Sequence, residues 1–195
     1  ATPPQLTRAV MVVGGGGLTH FLQRAVQWNE YGAVVDGLFP DLRIQQGVFA
    51  LIQQTLDPVD SMNYMGRLVH DRFPGLQPLK AQVHMAIHDS QVNNLVTEWA
   101  MRSGGIPMVV PSPKVVWELE TVEAPNPEGA SDDVLGAMFV YDEMVTANPV
   151  TNVPPAEDNR THSTIREIGA YQTHVRTFLD EGRFVQVCDG PCDPE

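Results

Sequence analysis

Short continuous apolar runs alternate along the chain with longer stretches of helical periodicity. The first run, residues 8–13, meets Gly14–Gly17, the pattern of a buried parallel strand entering a tight loop. The four glycines lack the Lys and Ser/Thr of a phosphate loop and the G-x-G-x-x-G spacing. They predict close backbone approach at a strand end. From Leu18 to about Arg72 the period is helical. Ile44, Val48, Phe49, Ile52 and Leu56 form an apolar stripe, with Gln45, Gln46, Gln53 and Gln54 on the other side and Asp57-Pro58 as the stop.

Residues 81–87 read as a second buried strand, followed by a helix from Val92 to Ser103 that Gly104-Gly105 terminates. Val115–Val122 alternates as a further strand, and Ala124–Asp133 is a polar Pro/Gly excursion over the surface. Gly136–Asp142 is the last strand. It delivers the chain to a polar loop, Ala147–Thr161, in which Pro149, Pro154 and Pro155 limit the conformations available. A helical pattern then runs from Ile165 to Leu179. Parallel-type strands separated by helices predict an α/β fold with a mostly parallel sheet.

Two residues stand where such a fold exposes chemistry. Asp89 follows the strand 81–87 directly, and His162 lies between the proline-containing loop and the last helix. A carboxylate on a rigid strand tip and a histidine on a loop are suited to orienter and general base. Asp89 also fits the N-cap of the following helix. His174 competes with His162 as the base, but it falls inside an amphipathic helix with Ala170, Tyr171, Val175, Phe178 and Leu179, a packing position. Thr161 and Ser163 are helix-capping types. His84, His88 and Asp89 suggest a metal site. Four residues along a strand, however, separate the two imidazoles by about 13 Å, too far for one ion.

Three segments carry a family resemblance: Leu56–Tyr64 before the second strand, His88–Val92 at the acid, and Phe178–Gly182 leading into Cys188–Cys192. With the order of acid and histidine, the chain resembles the C-terminal half of an α/β-hydrolase, closest to bacterial secreted lipases and esterases. The resemblance extends over residues 1–195 as the C-terminal portion of one hydrolase domain, with 18–72 as a helical cap-like insertion whose Phe21, Trp28, Phe39 and Met65 are candidates to line an acyl site. It implies Asp89 and His162 as catalytic residues, a small ester or lipid as substrate, and neither cofactor nor metal. The family's nucleophile sits in G-x-S-x-G. The six serines, Ser61, Ser90, Ser103, Ser112, Ser131 and Ser163, lack that context. The implied nucleophile therefore lies in an N-terminal segment or chain outside this sequence, with residues 8–13 as the next strand of the sheet. A noncatalytic ligand-binding or interaction module on a degenerate hydrolase scaffold is the alternative.

Composition narrows the partners. A net charge of -12, from 24 acidic against 12 basic residues, repels phosphate backbones and anionic membranes, which argues against nucleic-acid binding. No apolar stretch approaches the ~20 residues that span a bilayer, and no signal-peptide pattern opens the sequence. Both cysteines fall in Cys188-Asp-Gly-Pro-Cys192, where turn chemistry brings two thiols within bridging range. A disulfide there predicts a secreted or periplasmic location. Two reduced thiols, or half of a metal site, remain open; two ligands alone do not complete tetrahedral zinc. Asn159-Arg160-Thr161 is a glycosylation sequon beside His162, read as accidental.

Overall fold

A computed structural model describes residues 6–125 and 134–193. Its centre is a five-stranded sheet, all pairs parallel, in the order β1-β2-β5-β3-β4. The strands are β1 (Arg8–Val12), β2 (Lys80–Ala86), β3 (Met108–Val110), β4 (Thr121–Glu123) and β5 (Gly136–Tyr141). The fold is α/β, as the alternation of patterns predicts. Helices α1 (Leu18–Leu22), α2 (Trp28–Leu38) and α3 (Leu42–Leu56) and a 3-10 segment, Ser61–Arg67, join β1 to β2. Helix α4 (Asn94–Gly104) follows β2. After β5 come α5 (Thr161–Thr164), a 3-10 turn Ile165–Glu167, and α6 (Gly169–Glu181). Among the described residues no helix is long and apolar enough to cross a membrane.

Alternation along the strands divides the core in two. Ala9 and Met11 of β1, Ala81, Val83 and Met85 of β2, and Met138 and Val140 of β5 pack with Ala100 and Met101 of α4. The intervening Val10, Val12, Ala86, Ala137, Phe139 and Tyr141 meet Phe178 of α6 and Phe184 beyond it. Phe178 and Phe184 are fully buried, with stacked rings 5.1 Å apart. Burying an aromatic side chain of this kind contributes roughly 1.5–3 kcal/mol.

Three sequence expectations need correction. Only Thr121–Glu123 of the strand expected over 115–122 is extended into the sheet; the chain turns at Glu118, whose φ is 52°, and Val115 and Trp117 are exposed. Strand β3, between β5 and β4, escaped prediction because it is three residues long and enclosed by Pro107 and Pro111. The helix expected over Ile165–Leu179 starts at Gly169 because Ile168 is extended. The stripe on α3 is also only partly inward. Phe49 is buried, but Ile44 and Ile52 are exposed, whereas Gln45 is buried and bonded to Asp36 and Phe39 O. Polar bridges from Gln45 to Asp36 and Phe39 O, besides the burial of Phe49, tie α3 to the end of α2. Of the excursion predicted over 124–133, residues 126–133 lie outside the described residues.

The glycine run does cradle an anion, but one supplied by the chain. Gly17 and Leu18 N–H donate to the Asp60 carboxylate at 2.9 Å, and Met62 N–H and Gln53 Nε2 complete its shell at 2.9 and 2.7 Å. Gly16 is required there, because a Cβ would stand 2.7 Å from Met62 N. Burial pushes the Asp60 carboxyl up. The hydrogen bonds from Gly17, Met62, Leu18 and Gln53 outweigh it and hold the group below the ordinary aspartate value. Asp60→Ala is expected to cost about 2–3 kcal/mol at neutral pH, since it strands buried N–H groups. A depressed carboxyl stabilises above its unfolded pKa and ceases to as pH falls through its folded one. Urea unfolding should therefore show the wild-type advantage shrinking in strong acid, and an advantage that persists unchanged there contradicts the account.

Candidate active site

Strand β2 ends at Ala86, Ile87 N–H is tied to Tyr141 O at 2.8 Å, and His88 turns the chain with φ 60°. Asn94 at the start of α4 clasps this turn, accepting from His88 N at 2.8 Å and donating to Ala86 O at 2.7 Å. Asp89 is thereby placed beyond the strand tip with only 1% of its side chain exposed. Its Oδ1 accepts from Gln91 N at 2.8 Å and Val92 N at 2.9 Å, and its Oδ2 accepts from His162 Nδ1 at 2.8 Å. The N-cap of α4 is Asn93, which accepts from Leu95 N at 3.0 Å. Asp89 is thus free of the capping role that competed for it.

The histidine loop is stitched to the acid loop residue by residue. Asp158 Oδ1 accepts from Ser90 Oγ at 2.7 Å and from Arg160 N at 2.9 Å, and its Oδ2 accepts from Gln91 Nε2 at 2.9 Å. Asn148 Nδ2 donates to Asp89 O and Asn159 Nδ2 to His88 O, both at 2.7 Å. Arg160 takes a left-handed conformation, φ 69°, that turns the chain into α5. Thr161, fully buried, donates its hydroxyl to Glu143. The sequon asparagine is therefore part of the site's framework, with its amide turned inward.

Donation from Nδ1 to Asp89 places the lone pair of a neutral His162 imidazole on Nε2. The side chain is 23% exposed, and among the described residues Nε2 has no hydrogen-bond partner. Burial pushes the Asp89 carboxyl above its ordinary value, against the pull of Val92 and Gln91 N–H and of His162. At Asp158 burial also pushes upward, but Arg160 N–H, Ser90 and Gln91 bring the net shift below the ordinary value. This pair can hold an imidazole in one tautomer and stabilise its cation, which is what a general base requires. The described serine hydroxyls with partners are engaged elsewhere: Ser61 with Gly15 O, Ser90 with Asp158, Ser103 with Met62 and Ser112 with Lys114 O. Ser163 is exposed next to His162, and Ser131 lies outside the described residues.

His174 and His84 belong to a different system. Both are fully buried. Val187 N–H donates to His174 Nε2 at 3.3 Å, which leaves His174 Nδ1–H to donate to Tyr141 OH at 2.6 Å. Tyr141 then donates to His84 Nδ1 at 3.0 Å, and His84 Nε2–H to Gln82 Oε1 at 3.0 Å. His84 faces α6, inside the core, while His88 lies past the strand tip beside Asn148, so they form no metal pair with Asp89. Sequence reasoning missed the relay, although Gln82 and His84 alternate on one face of an otherwise apolar strand. Cys188 and Cys192 are bridged, with Cα atoms 5.5 Å apart. Asp142 N–H donates to Cys192 O at 3.0 Å, fastening the tail to the end of β5.

Compared with protein families, curated proteins and solved structures, the chain has no match.

Burial, against a hydrogen bond with Gln186 that pulls the other way, lowers His174 to about 4, and burial together with the neighbouring His174 takes His84 well below its ordinary value. Unfolded histidine protonates near pH ~6.5. The native state then binds fewer protons than the unfolded chain, so stability falls as pH drops through about 6.5 and continues falling to about 4. The melting temperature followed by circular dichroism is expected to be lower near pH ~5 than near pH ~7. Equal values would contradict a neutral buried relay.

Proposed function

We propose that the chain is the C-terminal portion of a serine hydrolase acting on carboxylic esters, with Asp89 as the orienting acid, His162 as the general base and the serine supplied from outside this sequence. The observation that carries this reading is the 2.8 Å contact between His162 Nδ1 and buried Asp89, with no hydrogen-bond donor on Nε2 among the described residues. In the reaction His162 Nε2 takes the proton of the serine hydroxyl as its oxygen attacks the ester carbonyl. Asp89 stabilises the imidazolium, which returns the proton to the departing alkoxide. The same base then activates water against the acyl-enzyme. Donors for the oxyanion come with the serine.

The sheet supports a further strand beside β1. Among the described residues β1 pairs only with β2, yet its residues from Ala9 to Val12 are apolar and pack, half-buried, against both cores. This is the composition of an interior parallel strand. The opposite edge, β4, is blunted in the usual way by brevity and by exposed Glu120, Thr121 and Glu123. The insertion exposes Val34, Leu38, Leu42 and Leu51, apolar surface suited to a lipid-like acyl group. Its expected lining residues differ in role: Met65 is core, and Trp28 packs edge-on against Phe49. The disulfide fits secretion or a periplasmic location. The absence of any described serine hydroxyl bonded to His162 Nε2 favours the second reading, a noncatalytic module on the same scaffold.

Asp89→Asn and His162→Ala, made in the protein that includes the serine-bearing segment, are expected to lower turnover of a nitrophenyl ester by about 10⁴-fold while each variant still unfolds cooperatively, at a somewhat lower temperature for His162→Ala because Asp89 loses a buried hydrogen bond. Fluorophosphonate should label that segment and leave this chain unmodified. Near-normal turnover in either variant would overturn the assignment, and a wild type that neither hydrolyses esters nor takes up the label would leave the binding-module reading in its place.

A further inference from the structure

The tail carries a second cluster, remote in role from the acid–histidine pair. Two cysteines alone offer half of a tetrahedral metal site. Folding brings a third ligand to them: one donor atom each of His174, Cys188 and Cys192 lie within 4.8 Å of one another. Zinc at ~2.3 Å from sulfur and ~2.0 Å from nitrogen requires ligand separations of about 3.5–3.8 Å. The donor atoms thus already lie within about an ångström of the separations a tetrahedral ion needs, and breaking the S–S bond frees both cysteine side chains to turn toward them. A cavity of about 380 Å³ borders the cysteines, walled by Ile168 and Ala170 and edged by Asp142 and Glu143. It leaves room for water as a fourth ligand.

We infer that the reduced chain binds one zinc ion through the Cys188 and Cys192 thiolates and His174 Nε2, so that one pair of sulfurs closes the tail as a disulfide or as a metal clip. A dithiol reductant delivers two electrons to the S–S bond and leaves as its own disulfide, giving two cysteine thiols. Zinc binding displaces both thiol protons to solvent. His174 Nε2 exchanges the long 3.3 Å hydrogen bond from Val187 N–H for the metal, while its Nδ1–H keeps Tyr141 as acceptor. A hydrogen bond from the ring nitrogen that does not bind the metal orients a ligating imidazole. The two closures exclude one another, since each uses the same sulfurs. The inference is independent of the hydrolase reading.

The test is anaerobic titration of the dithiol-reduced, desalted wild-type protein with Co²⁺ as the spectroscopic probe. One equivalent is expected to raise thiolate-to-cobalt charge-transfer bands that Zn²⁺ abolishes, with none in the oxidised protein or in the Cys188→Ser/Cys192→Ser variant. X-ray absorption of the zinc-loaded reduced wild type should count two sulfurs and an imidazole, which tests His174 without altering a core residue. Cobalt uptake no greater than that of the double serine variant, or a shell of two sulfurs with oxygens alone, would overturn the proposal.

Discussion

The structure around the candidate site depends on keeping one buried carboxylate satisfied. Removing an ionised aspartate from water costs several kcal/mol unless hydrogen bonds replace the lost solvation. Asp89 receives three: two from the backbone of its own turn and one from an imidazole 73 residues further on. The backbone pair is local and forms with the turn. The third requires the histidine loop to cross the end of the sheet and settle, which explains why that loop is held by side chains that themselves bond to main-chain groups of the acid loop. Asn148 and Asn159 take the carbonyls of Asp89 and His88, and Asp158 binds Ser90 and Gln91. Polar partners of this kind specify one docking geometry where an apolar contact would tolerate many.

Strand β2 serves both this site and the interior. Its odd-numbered residues fill the core toward α4, while Gln82 and His84 turn toward α6 and join the relay through Tyr141 to His174. The relay replaces apolar packing at the centre of the second core, and its cost shows at Gln82 Nε2, which is buried without a partner. In return the directed hydrogen bonds fix the distance between the strands and α6. The same helix follows the histidine turn, so the position of α6 and the position of His162 are set by one packing arrangement.

Elements were legible where local pattern and tertiary environment agree. The runs 81–87 and 136–142 are strands because both sheet faces are covered, the run 8–13 packs half-buried beside them, and continuous apolar sequence has little other use there. β3 and β4 were not legible, being three residues each and dependent on neighbours for their hydrogen bonds. That Asp89 and His162 meet was foreshadowed by their placement at a strand tip and before a helix. Asp158, Asn148 and Asn159 carry no such mark, because Asp and Asn in a Pro-containing loop are ordinary turn residues until the partner loop is known. The role of Gly14–Gly17 was half legible: close approach followed from composition, but Asp60, which fills the nest, lies 43 residues away from Gly17.

The cysteine tail shows why spacing stops short of chemistry. Four residues of separation and an intervening Asp-Gly-Pro suffice to predict a bridge, since closing so small a loop needs only local turn geometry. They say nothing about His174, which reaches the sulfurs through the rotation of α6 on the sheet. That rotation is fixed by Phe178 packing on Phe184 and by the Tyr141 hydrogen bond. A cluster assembled by core packing has no sequence spacing of its own, so the apolar contacts that seat α6 are also what bring His174 beside the bridged sulfurs.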